Sequence, residues 1–197
     1  MVVQLENLLW LCGVSGFVPL AKYSVNSIHI ALQCRRKYLN LCGQYHDSHG
    51  CSVQEKYIAA IEAGRKVNPE IIDDLFKQLP PVKPDHMIGT WDGGFFDTGH
   101  PVATQLEDIK WIGKSFKSLE DVDPVIVDRD GERASWGQWG FASVREMVYG
   151  GTVSAAMIYD DRPFFDHFRL VNDNLLAGVM EGKGLGHTGP FYFYLKR

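Results

Sequence analysis

Apolar and polar positions change their period partway along the chain. Ser52 to Glu55 reads as a capping box, and Tyr57, Ile58 and Ile61 follow at helical spacing up to Gly64. A second helix is predicted from Asn68, with Pro69 in its first turn and an apolar stripe of Ile71, Ile72, Leu75, Phe76 and Leu79. The run PPVKP, from Pro80 to Pro84, stops it and marks the main break in the chain. From Met87 the pattern becomes that of strands. Met87 to Phe96 is predicted as a strand. Thr104 to Lys117 is predicted as a helix, with Leu106, Ile109, Ile112 and Phe116 on one face and Lys110, Lys114 and Lys117 on another. Short apolar runs then begin at Val125, Ser143, Thr152, Phe164 and Leu175 and end with FYFYLKR, with turn residues between them. Regular antiparallel strands joined by tight turns imply a sandwich or a small barrel.

The first fifty residues read differently. Leu8 to Ala21 is apolar, but it follows Glu6 with no Lys or Arg before it, which is a poor secretory signal, and it is short for a membrane span. Cytoplasmic location is the expectation, with secretion or anchoring left open by this segment, and no membrane partner is expected. All four cysteines, Cys12, Cys34, Cys42 and Cys51, lie in this part. Cys42, His46, His49 and Cys51 are zinc-ligand types, but their spacing matches no common finger, so the cluster reads as a polar loop with free thiols and no metal is expected. A Cys42–Cys51 disulfide would require an exported chain. The predicted organisation is a weakly structured extension over 1–51, a helical hairpin and proline-rich linker over 52–84, and a β-domain over 85–197.

Net charge of −4 without a basic run argues against nucleic acid as a partner. No phosphate-binding loop, dinucleotide fingerprint, nucleophile elbow or zinc-protease motif is present, which disfavours enzymes built on those motifs.

The blocks GTWDGGFFDTGHP, WIGKSF, GGTVSAAMIYDDRPFFDHFRLVNDNLLAGVMEGKG and FYFYLKR, in that order, resemble the GXWXG/DUF4334 family over roughly residues 53–197. The resemblance implies a mainly β protein: a lipocalin- or nitrobindin-like antiparallel β-barrel preceded by a helical hairpin. It implies no activity. Glycines flanking a strand tryptophan permit a bend or close backbone approach, so Trp91 is expected to close an end of the barrel.

Three residues are candidates for chemistry. His100, in the T-G-H-P segment, stands at a strand-to-helix junction as a proton shuttle or as a cap. Alternation along Phe164 to Val171 puts Asp166 with Phe164, Phe168 and Leu170, facing into a barrel, where a carboxylate needs a partner or takes up a proton. Lys114 or His100 is the expected partner, and a purely structural ion pair is the other reading. His167 and Arg169 fall on the opposite face, where His167 is expected to be mostly solvated. Trp91, Trp111, Met157, Phe168, Met180 and Phe193 are the expected ligand-facing lining; a packed core has the same composition.

Two functions follow as expectations. One is a cofactor-independent enzyme that binds a hydrophobic polyketide- or terpenoid-like molecule and cyclises, rearranges or isomerises it in secondary metabolism. The other is a non-catalytic carrier of a lipid-like ligand. Haem binding through His167 or His187, by analogy with nitrobindin, is a weaker third. No cofactor is expected, and a homodimer stays open.

Overall fold

Nine strands form one antiparallel sheet in the order β2-β1-β9-β8-β7-β6-β5-β3-β4, and β2 also pairs with β3. That extra pairing closes eight of the strands into a barrel and leaves β4 outside the ring. The computed structural model describes residues 50–64 and 66–197. The strands are β1 (Gly89–Phe95), β2 (Trp111–Phe116), β3 (Val122–Arg129), β4 (Glu132–Ser135), β5 (Ala142–Tyr149), β6 (Thr152–Tyr159), β7 (Phe165–Asn172), β8 (Leu175–Glu181) and β9 (Phe191–Lys196). The helices are α1 (Val53–Ala63), α2 (Pro69–Gln78) and α3 (Pro101–Asp108). The apolar segment Leu8 to Ala21, together with Cys12, Cys34, Cys42, His46 and His49, lies outside the described residues. Cys51 is disulfide-bonded, so the reading of that cluster as free thiols does not hold for it. No helix among the described residues is long and apolar enough to cross a membrane.

The helical hairpin forms where the sequence places it. Ser52 caps α1 and exchanges hydrogen bonds with Glu55, and Gly64 ends the helix at φ 55°. Asn68 caps α2 ahead of Pro69.

The hairpin is not an appendage. Tyr57, Ile72, Phe76 and Leu79 share one apolar cluster with Phe96, Val171, Ala177, Val179 and Tyr192 of the barrel's outer surface. The Tyr57 hydroxyl donates to the Phe193 carbonyl at 3.1 Å. Hairpin and barrel belong to one compact unit.

The proline linker stitches rather than separates. β6 and β7 pair only from Ala156↔His167 to Ile158↔Phe165. Beyond that they part, and residues 80–82 fill the gap. Leu170 N–H donates to the Pro80 carbonyl and Ala155 N–H to the Val82 carbonyl, each at 2.9 Å. Ser154 Oγ accepts from Val82 N–H at 2.9 Å and donates to the Phe168 carbonyl at 2.7 Å. A proline-rich segment serves here because only one of its edges needs a donor at each position.

Two expectations are corrected. The helix predicted over 104–117 stops at Asp108, and Trp111–Phe116 is a strand. Lys110, at φ 56°, turns the chain between them. The apolar spacing of this stretch fits 3.6 residues by accident of two adjoining elements. His167 and Arg169 do face outward on β7, but the hairpin and its neighbours cover them, and their exposures are 2% and 0%. His167 stacks on Tyr149 at 4.4 Å and places Nε2 3.0 Å from Glu181 Oε1. The Arg169 guanidinium donates to the Tyr149 carbonyl at 2.8 Å and lies 5.1 Å over the Phe76 ring.

Candidate functional site inside the barrel

A bulge decides what the barrel interior contains. Between Trp111↔Val127 and Gly113↔Ile126, β2 advances two residues while β3 advances one. The extra residue shifts the alternation, so Trp111 and Lys114, three apart, both line the interior. Gly113 sits at φ 148°, and a Cβ there would come 1.9 Å from the Trp91 carbonyl oxygen. Only glycine fits this conformation and this approach. Gly93, across the pair, leaves room for the Trp111 ring, since a Cβ at Gly93 would stand 2.2 Å from Cη2 of that ring.

The GXWXG motif is therefore read in three parts. Gly89, at φ 124°, starts β1. Trp91 is fully buried, donates from Nε1 to the Met87 carbonyl at 2.7 Å, and carries the Arg197 guanidinium 4.2 Å over its ring. Gly93 makes space for Trp111. Trp91 is not among the residues that line the cavity described next.

That cavity is walled by Val102, Leu106, Trp111, Val125, Trp139, Met180, Phe191 and Phe193, with Lys114, Tyr159 and Asp166 as its polar members. It offers about 10 Å³ to the centre of a water-sized molecule, room for about one water. Of the expected lining, Trp111, Met180 and Phe193 are in the wall, whereas Met157 and Phe168 are core residues that do not line it.

Lys114 and Asp166 meet inside the barrel, with Nζ 2.9 Å from Oδ2 and both side chains almost fully buried. Lys114 Nζ also donates to the Pro124 carbonyl at 3.1 Å and lies 3.4 Å from the Tyr159 hydroxyl. Three rings, Trp111, Tyr159 and Phe193, have their centroids 5.1–5.8 Å from the ammonium. The approach to Oδ2 is close but lacks hydrogen-bond direction, and neither oxygen of Asp166 accepts a well-formed hydrogen bond. Burial pushes the Asp166 carboxyl above its ordinary pKa, and Lys114 and, to a lesser extent, Tyr159 pull it back only in part. Burial, with the carboxylate second, likewise raises the Tyr159 hydroxyl well above its usual value. Trp111 Nε1 is also buried without a partner.

His100 stands apart from this pair. It caps α3, with Nδ1 accepting from Val102 N–H at 3.2 Å. Nε2 must then carry the proton, and it donates to the Gly189 carbonyl at 3.1 Å. Burial lowers its pKa, so the neutral ring that this arrangement needs is favoured. The residue does not line the cavity. His167 is engaged with Glu181 and Tyr149 on the outer surface, and His187 is exposed in the loop before β9.

Sequence reasoning missed seven wall residues, Val102, Leu106, Pro124, Val125, Trp139, Tyr159 and Phe191, of which Tyr159 and Trp139 bear most on the site. Tyr159 ends a regular strand and carried no signal beyond its type. Trp139 lies in WGQWG, between Gly137 and Gly140, both at φ 71°. Two tryptophans around positive-φ glycines are a legible sign of a loop that carries rings. Trp139 packs on Trp136, Tyr159 and Phe164 at centroid distances of 5.9–6.3 Å.

Comparison with known proteins agrees with this architecture. The model of the GXWXG protein family matches residues 74–131, and that of a domain of unknown function, DUF4334, matches residues 140–197. No curated protein matches. A crystal structure of a protein from Thermomonospora curvata is similar at 39% identity and a TM-score of 0.69, over 74% of this chain and 97% of that one. With both family models in order and this relative spanning most of its length, the chain belongs to the GXWXG/DUF4334 family.

Proposed function

We propose that the barrel binds a hydrophobic small molecule, polyketide- or terpenoid-like in character, and isomerises, rearranges or cyclises it by moving a proton without a cofactor. The observation that carries this reading is the ion pair itself. A carboxylate with no well-formed hydrogen bond stands beside an ammonium in a ring-walled cavity. In the proposed step, Asp166 takes a proton from the carbon next to a ligand carbonyl. The C–H electrons form the enolate double bond, and the negative charge on oxygen is met by Lys114. Where the ligand has a carbon–carbon double bond next to that carbon, the charge extends along it as a dienolate, and Asp166 then returns the proton to the far carbon as the double bond shifts. A buried carboxyl with a raised pKa suits a group that must both take and return a proton. The cavity as it stands holds about one water, so a ligand of this class enters only when its walls part.

The second reading is carriage without chemistry. It is favoured by His100, whose two nitrogens are both taken by backbone groups, leaving fewer groups to handle protons.

Native mass spectrometry of protein purified from its own host, followed by incubation of the extracted molecule in deuterium oxide, tests both. The enzyme reading expects carbon-bound deuterium with wild type and none with Asp166→Asn. Equal binding with no exchange by wild type supports the carrier. A protein that retains no small molecule and shows no exchange on apolar ketones refutes both.

A further inference from the structure

Resting on the reading of the cavity as a ligand site, we propose that its polar end is built for a single oxygen that both accepts and donates a hydrogen bond. The ligand is then an apolar molecule presenting a hydroxyl or an enol. Two buried groups of opposite sense lack a well-formed hydrogen bond in this one wall: the Trp111 indole N–H, a donor, and the Asp166 carboxylate, an acceptor whose ion-pair partner Lys114 stands at 2.9 Å without hydrogen-bond direction. Buried polar groups without a hydrogen bond are costly and uncommon, so two of them around one cavity point to a use.

The neighbours of Trp111 do not satisfy it. The Trp111 ring meets Phe193 edge-on at 6.3 Å and the Lys114 ammonium at 5.6 Å, and neither offers an acceptor. The ring cannot easily swing to find one, because it fills the space that Gly93 leaves.

Chemistry narrows the ligand. A hydrocarbon leaves both groups orphaned. A plain ketone or ether takes the indole proton but brings none to Asp166. An ammonium faces Lys114, and a carboxylate faces Asp166, each as a like charge in a low-dielectric space. A hydroxyl or enol accepts from Trp111 and donates to Asp166. Trp111 is thus a specificity-determining residue. An enol is also the species that the proposed proton transfer would form.

Phenol, anisole and toluene test this directly, being close in size and differing in the oxygen and its proton. The readout is titration of protein labelled with ¹⁵N and with ¹³C at the methionine methyls, following the Trp111 indole N–H and the Met180 methyl. Phenol is expected to bind at least tenfold more tightly than either analogue and to move the Trp111 indole signal. Trp111→Phe, which keeps a ring and removes the donor, is expected to erase that preference. Toluene or anisole binding as tightly as phenol overturns the hydroxyl preference while leaving the ligand site standing, as does phenol that shifts Met180 without moving the indole. Failure of all three to perturb the cavity overturns the ligand site and the preference together. The wild-type comparison decides the matter even if Trp111→Phe fails to fold.

Discussion

Lys114 and Asp166, fifty-two positions apart in the sequence, face each other across the barrel with Nζ 2.9 Å from Oδ2. Breaking such a buried pair strands a charge, whereas replacing both members with apolar residues does not. Asp166→Leu alone is expected to cost about 3–5 kcal/mol. Adding Lys114→Met is expected to restore most of it. Urea denaturation of the two single variants and the double variant checks the cycle.

The same carboxyl gives stability a pH dependence of definite sign. Its folded pKa is raised, so the folded protein holds a proton that the unfolded chain has released. Unfolding free energy therefore falls as pH rises from the ordinary carboxyl value of 3.8 through the raised one. Asp166→Asn removes this titration. The stability of wild type relative to Asp166→Asn is expected to decline with rising pH across that window, and melting curves at a series of pH values show whether it does.

Gly113 holds the bulge that turns Lys114 inward. Alanine there meets the Trp91 carbonyl and must adopt a conformation that side chains avoid. Gly113→Ala is expected to lose at least about 3 kcal/mol, combining that strain with the displaced contact. Gly131→Ala, at φ 89° but with open space around it, is expected to lose only about 1–2 kcal/mol. Thermal unfolding of the two variants side by side separates the roles; equal losses would refute the special place of Gly113.

Removing the hairpin tests its integration. A chain beginning at Asp85 would expose Val171, Ala177, Val179 and Tyr192 and would leave the gap between β6 and β7 unfilled. It is expected to aggregate or to lose cooperative unfolding. A soluble, cooperatively melting protein from that start would show the barrel to be independent.

Much of this fold was legible in the chain, and the exceptions have physical causes. Strands from Thr152 to Tyr159 and from Phe165 to Asn172 announced themselves by β-branched and aromatic runs between turns. The capping box at Ser52 did the same for α1. Alternation placed Asp166 on the inner face of β7 without any structure. It did not place Lys114, because a bulge changes the phase of a strand without leaving a periodic trace; the lone sign was a glycine within WIGKSF. Nor did alternation show that the outer face of β7 is covered, since that depends on where a helix well over eighty residues earlier in the chain comes to rest. His100 was read as shuttle or cap, and its hydrogen bonds are those of a cap. Composition marked the aromatic wall without dividing cavity from packed core, as Met157 and Phe168 illustrate.

One feature of the sheet bears on how anything reaches the interior. β3 meets β5 through a single pair, Val122↔Ala142, and its Ile126–Arg129 end pairs with β4, whose far edge has no strand beside it among the described residues. The hoop thus has a clasp at β3–β5, while its other short seam, β6–β7, is stitched by residues 80–82, and the WGQWG loop lies next to the clasp in the chain. Parting two strands there breaks few ladder bonds, while parting β7 from β8 breaks many. Amide hydrogen exchange is expected to run fastest, among the barrel's strands and their loops, over residues 132–142, and slowest over β7 and β8. The cavity wall contributed by Pro124, Val125 and Trp139 stands at that side, so the barrel is expected to open like a purse, at its clasp and without unravelling its cloth.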